Sequence, residues 1–357
     1  MNGAGAGPWH YTLASATAGA DFLQQQNDAA LEVGAKIQYC MNLPCTILQS
    51  TRLQAVSQAR EAKDHVRDPL VYSWKEGLSG LLLDSVGLGA SVDNIFTSGP
   101  GASETGCGSF NCTEMNPHYE TALAALSGGP YAIGDGAGMT DKEMVMHSCR
   151  ADGTILRTTE QMAMMDAGLR EGFDHLQEFD VWSAATFLDG QRWTFVLSTF
   201  LPRAVELTVT DLGYAPDAQL LAWDKWSSLD GPAAGPASPY GQLREVDAAT
   251  PLTLRACPHL TNPRDKNWIY TIVAPRLCSG CWALLGELNK VASVSGVRFD
   301  SVAATETSLT VNGTGVAGEV LSLGAVAPRV VGNPQPKLSV ASVVVSESGT
   351  FFHRWLR

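Results

Sequence analysis

Pro117-His-Tyr-Glu-Thr-Ala-Leu-Ala-Ala-Leu-Ser-Gly-Gly-Pro-Tyr-Ala-Ile-Gly-Asp135 packs a helix, a stop, a strand and an acid into one short run. Proline suits the first helical turn, where its missing N–H is unpaired in any case. The helix is expected to run through Ala125 until Gly128-Gly129 stops it, and Pro130-Tyr-Ala-Ile-Gly134 is the next predicted strand. Thr140, with Glu143 three residues on, has the T-x-x-E spacing of a capping box opening another helix. Upstream, Asn94-Ile-Phe-Thr97 reads as a strand entering the Gly/Ser-rich loop Ser98 to Phe110. Thr17 to Ala35 reads as a helix, with Phe22, Leu23, Ala29, Ala30 and Val33 at three-to-four spacing. Lys36 to Met41 is a predicted strand, Gln54 to Lys63 a short helix, and Val71 to Val86 a helix ended by Gly87. Three strand–helix steps in succession predict a parallel sheet or a (β/α) barrel. Right-handed crossovers would make 36–41, 94–97 and 131–134 neighbouring parallel strands.

After about residue 175 the pattern changes to short β-branched runs broken by Gly, Pro and Asn. Arg192 to Leu201, Ala204 to Leu212, Gln219 to Trp223 and Trp268 to Ala274 are predicted strands, as are Gly296 to Ala303 and Leu338 to Ser346. This spacing suggests an antiparallel sandwich. At 357 residues the chain exceeds the roughly 250–300 that one core supports. Two domains are therefore expected, 1–175 and 176–357.

With 24 Lys and Arg against 36 Asp and Glu the net charge is −12, and no basic run is long enough to follow a phosphate backbone. Nucleic acid is accordingly excluded as a partner. The apolar run Leu78 to Leu83 is already broken by Ser79 and Gly80, so no membrane-spanning helix is expected. Met1 to Gly7 lacks the basic and apolar regions of a secretory signal. Cys107 and Cys112 have the spacing of a small disulfide loop, and Cys278-Ser-Gly-Cys281 has that of a redox or zinc half-site. Asn111-Cys-Thr and Asn312-Gly-Thr are glycosylation triplets, so compartment leans towards secreted or endomembrane.

The seven histidines stand singly, without metal spacing. No nucleophile elbow, phosphate loop or dinucleotide fingerprint is present. No metal or cofactor is expected. What remains is a set of acids at strand ends: Glu104 and Glu114 after the strand at 94–97, and Asp135 after the strand at 131–134. Paired carboxylates at a barrel mouth suit glycoside hydrolysis. One acid protonates the leaving oxygen, and another attacks or stabilises the oxocarbenium-like centre. The competing reading is solvated surface charge, with Asp135 a helix cap.

Ala125-Leu-Ser-Gly-Gly-Pro-Tyr-Ala-Ile-Gly-Asp135, then Gly138, then Asp152-Gly-Thr-Ile-Leu-Arg157, resembles the retaining α-galactosidase and raffinose-synthase group of glycoside hydrolases. The likeness covers about residues 94–200. Ile37-Gln-Tyr-Cys-Met-Asn42 and Gln58-Ala-Arg60 are similar to less characterised relatives. The resemblance implies a partial (β/α) TIM-type barrel, about strands five to eight with the eighth near 176–181, followed by an antiparallel β-sandwich. It implies a carbohydrate substrate of α-galactoside type and a retaining two-carboxylate mechanism. Glu114 holds roughly the acid/base position, with Glu104 its rival, although better-known members carry Asp there. Asp135 would bind or orient a sugar hydroxyl, and Asp93, Phe96 and Trp182 are further substrate-binding candidates.

The group's nucleophile is an Asp at the strand end before the first helix. Gly7-Pro-Trp-His-Tyr-Thr-Leu13 offers no acid there. The expectation is that the chain begins after the nucleophile or has lost it. A catalytically inactive carbohydrate-binding or interaction protein is the alternative reading.

Overall fold

The helix expected near the N-terminus forms as α1 (Ala18–Glu32). Next come β1 (Ile37–Tyr39), α2 (Pro44–Ser50), β2 (Val56–Arg60), α3 (Trp74–Ser85), β3 (Gly89–Ser91) and β4 (Asp93–Ile95). They are followed by α4 (Pro117–Leu126), β5 (Tyr131–Ile133), α5 (Lys142–Met146), β6 (Glu160–Met164) and α6 (Asp166–Arg170). Strands alone follow: β7 (Asp180–Leu188), β8 (Gln191–Thr199), β9 (Val205–Leu207), β10 (Leu220–Ser227), β11 (Leu243–Val246), β12 (Leu252–Leu254) and β13 (Trp268–Pro275). The last are β14 (Ala283–Glu287), β15 (Phe299–Ala304), β16 (Ser308–Thr314), β17 (Val320–Val326), β18 (Leu338–Val344) and β19 (Thr350–Leu356). The computed structural model describes residues 17–40, 44–60, 74–98, 114, 116–170, 180–199, 201–228, 242–257, 267–278, 280–328 and 336–357.

The partial TIM-type barrel is overturned. Strand outweighs helix, 42% against 18%, and the sheets are mostly antiparallel. Among the described residues, parallel strand pairing occurs in β1–β2–β3 and in the separate pair β4–β5, beside one isolated parallel bridge. β4 and β5 are indeed parallel neighbours, but β1 pairs with β2, which was expected as helix. Gln54 to Lys63 has no apolar stripe, whereas Val56 and Ala59 can be buried from a strand between β1 and β3. Of the strand expected at 176–181 to complete the barrel, the described residues 180–181 belong to β7 and the rest lie outside the described residues. β7 runs antiparallel between β6 and β8. A barrel needs one continuous parallel ladder closed on itself, and ladders of three residues in two pieces do not supply it.

The glycine pair that stops α4 has a packing reason. Gly128 forms a parallel bridge with Ala90, and a Cβ on Gly129 would run into the Ala90 carbonyl. The chain can therefore pass β3 at backbone contact.

The antiparallel half is organised about a six-stranded sheet of order β11-β10-β13-β8-β7-β6. Strand alternation sends Trp193, Phe195 and Leu197 of β8, with Tyr270 and Ile272 of β13, into one core beneath α4. It sends Val196, Ala222 and Val273 into a second core with Leu207, Leu252 and Leu254. With both faces covered, β10 and β13 are buried along their whole length. Two three-stranded antiparallel sheets, β14-β17-β18 and β15-β16-β19, contribute Leu321, Leu323, Leu309, Val311 and Phe351 to the first core. Among the described residues no helix is long and apolar enough to cross a membrane.

Candidate functional site

The site grows from the paired ends of β4 and β5. Gly134 donates its N–H to the Ile95 carbonyl at 2.8 Å, extending the parallel pairing by one residue. Phe96, Thr97 and Ser98 then run on, all buried, on one side, and Asp135 follows on the other. The carboxylate of Asp135 is almost wholly occupied by the opposing segment. Its Oδ1 accepts from Thr97 N at 2.9 Å and Ser98 N at 3.1 Å, and its Oδ2 from Thr97 Oγ1 at 2.5 Å, while the Ser98 hydroxyl shares its one proton between Oδ1 at 3.0 Å and the Met139 carbonyl at 2.7 Å. Thr97 Oγ1 in turn accepts the N–H of Asp141 at 2.8 Å. Four donors converging on one half-buried carboxylate fix its orientation.

Glu114 reaches the same place from the other direction. Its N–H bonds the Ser98 carbonyl at 2.8 Å. Its Oε1 accepts from Asn116 N, also at 2.8 Å, just before α4 begins. Glu114 is 5% exposed. Thr97–Ser98 is thus the post to which both acid-bearing segments are tied.

Of the other expected residues, Phe96 is brought in. Its ring lies against Gly134, where a Cβ would be 3.1 Å from the ring edge. Asp93 opens β4 and stands opposite Tyr131 in the register. Trp182 is fully buried in the main core on β7, so no ring face is left for a sugar. Glu104, like Cys107, Cys112 and Asn111, lies outside the described residues. The capping box expected at Thr140 is displaced by one residue. Asp141 is the N-cap of α5, its carboxylate accepting from Met144 N at 3.1 Å.

Sequence reading missed Thr97 and Ser98 as anchors. The signal available was a pair of hydroxyls directly after an apolar strand, facing an acid on the next. It also missed a buried joint behind α4, for which no local pattern exists. There His118, His147 and Trp226 form a triangle with ring separations of 5.9, 5.5 and 5.3 Å. His147 Nδ1 bonds the Asn289 carbonyl at 2.6 Å. Burial, with His147 beside it, pulls His118 down to about 4 against the pull of Asp141 and Glu143. Burial also lowers His147, and Lys225 and Lys290 add to this.

Lys225 is the extra residue of a bulge in β10 and enters the core beside two indoles, 4.8 Å from the Trp226 ring centre and 5.7 Å from that of Trp223. Its ammonium donates to the Lys290 carbonyl. Burial, then Lys290, lowers it to about 7, with Glu287 opposing. Lys290 Nζ bonds the carbonyls of Met146 and Cys149 at 2.8 and 2.7 Å, closing the C-terminal end of α5.

A depression of about 170 Å³ lies elsewhere, lined by Gln219, Glu245, Asp247, Arg276 and Gly280, and shares no residue with the Glu114–Asp135 site. Among the described residues no group of three or more His, Cys, Asp or Glu is placed to hold a metal ion. No protein-family model matches the chain, and no curated protein matches it.

Proposed function

We propose that this is a glycoside-hydrolase-type protein for α-linked, galactoside-type sugars, in which Glu114 is the proton-transferring acid and Asp135 the orienting one. The observation that carries this is the shared anchor. Glu114 bonds the Ser98 carbonyl, and the Ser98 N–H and hydroxyl bond Asp135. The segments that bear the two carboxylates are tied to one short stretch, and neighbouring acids supply acceptors for sugar hydroxyls. The likeness of the S-G-G-P…Asp135…D-G-x-x-L-R run to α-galactosidases and raffinose synthases points the same way.

A retaining mechanism needs a second reactive carboxylate about 5–5.5 Å from the acid/base. Asp135 is committed to four framework donors, so it is suited to positioning rather than attack. This favours, as second reading, a chain that binds the sugar without turning it over.

The test is to measure galactoside binding by ligand-observed NMR alongside release of nitrophenol from a nitrophenyl α-galactoside. Binding without appreciable turnover is expected from residues 1–357 alone, with partial rescue of cleavage by azide or formate. Asp135→Ala should weaken binding at least about tenfold, because the Thr97–Ser98 segment loses its acceptor. Turnover that is robust, lost in Glu114→Gln and indifferent to added anions would place a nucleophile within the chain. Absence of any galactoside binding overturns the reading.

A further inference from the structure

Cys278 and Cys281 lie just beyond β13, and their sulfurs are joined as a disulfide with Cα atoms 5.6 Å apart. That separation lies in the ordinary bridging range. The two cysteines are unequal. Cys278 is exposed, whereas Cys281 is 7% exposed and is followed by the fully buried Trp282. Cys278 also sits at φ +39°, in the left-handed region that a side chain disfavours.

The turn does not depend on the bridge for its shape. Cys281 N and Gly280 N both bond the Leu277 carbonyl, at 2.9 and 3.1 Å, and Leu277 N bonds the Trp282 carbonyl at 2.7 Å. Arg276 Nη1 holds the Cys281 carbonyl at 3.0 Å while its other nitrogens grip Glu245. The surface beside the pair is concave, with Gly280 on its wall. Gly280 has φ +104°, and any Cβ there would meet the Gln219 amide oxygen. Cys40 and Cys45, both exposed, and the buried Cys149 are free thiols.

We propose that Cys278–Cys281 is a reversible dithiol–disulfide couple, opened by a dithiol reductant that attacks the exposed Cys278 sulfur. The reductant's thiolate forms a new S–S bond to Cys278, and the Cys281 sulfur leaves as a thiolate that takes up a proton. The reductant's second thiolate then attacks its own sulfur in that mixed disulfide, releasing the Cys278 thiolate, which is protonated in turn. The protein gains two electrons and two protons, and the reductant is oxidised to its disulfide. After reduction the Leu277 and Arg276 hydrogen bonds keep Cys281 in place for reoxidation.

Native protein equilibrated with oxidised or reduced dithiothreitol, then alkylated with a maleimide, gives the answer by intact mass and peptide mapping. Cys40 and Cys45 serve as exposed references labelled in both samples. Two additional labels, at Cys278 and Cys281, are expected only after reduction, and reoxidation should remove both. Cys281→Ala exposed to glutathione disulfide should form a mixed disulfide at Cys278, and Cys278→Ala should give far less at Cys281. Full labelling of both sulfurs in the oxidised sample, or resistance of the folded protein to reduction, overturns the proposal. The wild-type arms decide it even where a variant does not fold.

Discussion

Two clusters of buried or half-buried carboxylates, one in each half of the chain, are satisfied by opposite means. Asp135 is held by two backbone N–H groups and two hydroxyls, all neutral. Glu287 and Glu319 are held by Arg298, whose Nε donates to Glu287 at 2.9 Å and whose two terminal nitrogens fork onto Glu319 at 2.8 Å. Neutral donors orient a carboxylate and leave its charge uncancelled. A guanidinium, with Lys290 3.9 Å from Glu287, offsets much of the charge and turns the acids into framework. The first arrangement suits a binding site, and the second a structural seam. Glu319 Oε1 also accepts from Ala151 N at 3.0 Å, so the seam ties the β-rich part to the segment after α5.

The largest effect should come from removing the cation. Arg298 is 1% exposed and faces two acids, 2% and 9% exposed at their side chains. Arg298→Ala leaves Glu287 with only Lys290 3.9 Å away and Glu319 with only backbone donors, a loss of about 3–5 kcal/mol by the usual cost of breaking a buried pair. Urea unfolding measures it. A loss below about 1 kcal/mol would mean that water reaches the acids and that the two clusters do not differ in kind.

The joint behind α4 offers a pH test of intermediate size. His118 ionises near 4 in the folded chain, below the ordinary 6.5, chiefly because burial disfavours its charged form. Between those values the unfolded chain holds the extra proton. The contribution is therefore complete above pH 6.5, falls as pH drops towards 4, and is lost below that, by about 3 kcal/mol. Glu319 loses its contribution in a lower window. Burial opposes its ionisation, but Arg298 and backbone N–H groups outweigh burial and bring it down to about 2. Its share is present above about 4.5 and lost as pH falls towards 2. Lys225 acts on the alkaline side. Burial holds it near 7, so its penalty is relieved as pH rises from 7 towards the ordinary 10.5. A His118→Gln stability–pH curve should be flattened between 6.5 and 4 and keep the steeper fall below 4.5. An unchanged curve breaks the assignment.

These clusters also mark how far sequence carries. Local signals were readable where one element satisfies itself. Pro117 opens α4, the glycine pair closes it, and β4 and β5 pair in parallel over Asp93 to Ile95 and Tyr131 to Ile133. The convergence of Asp135 with the segment bearing Glu114 was legible because both follow those strand ends. The barrel was not a sound extrapolation, since strand–helix alternation specifies neither ladder length nor partner. β7 and β6 found antiparallel neighbours that no window around residue 176 reveals. The seam was illegible for the same reason. Arg298 lies 11 residues from Glu287 and 21 from Glu319, and nothing nearby in sequence marks any of the three as buried.

The smallest prediction separates the sequence-level cap of α5 from the structural one. A T-x-x-E box would place the cap on Thr140, whereas the Asp141 carboxylate makes the bond to Met144 N at 3.1 Å. Thr140 is exposed. Asp141→Ala should cost about 1 kcal/mol, the usual value of a lost N-cap, and Thr140→Ala should stay within about 0.5 kcal/mol of wild type. Asp141→Asn keeps an acceptor oxygen and should recover most of the loss. The backbone N–H of Asp141 bonds Thr97 Oγ1 whichever side chain follows, so galactoside binding should survive all three substitutions if the Asp135 anchor sets the site. Binding lost in step with the cap would show that α5 itself, and not the Thr97–Ser98 post, positions Asp135. The contrast between a site held by neutral donors and a seam held by charge would then have to be redrawn around that helix.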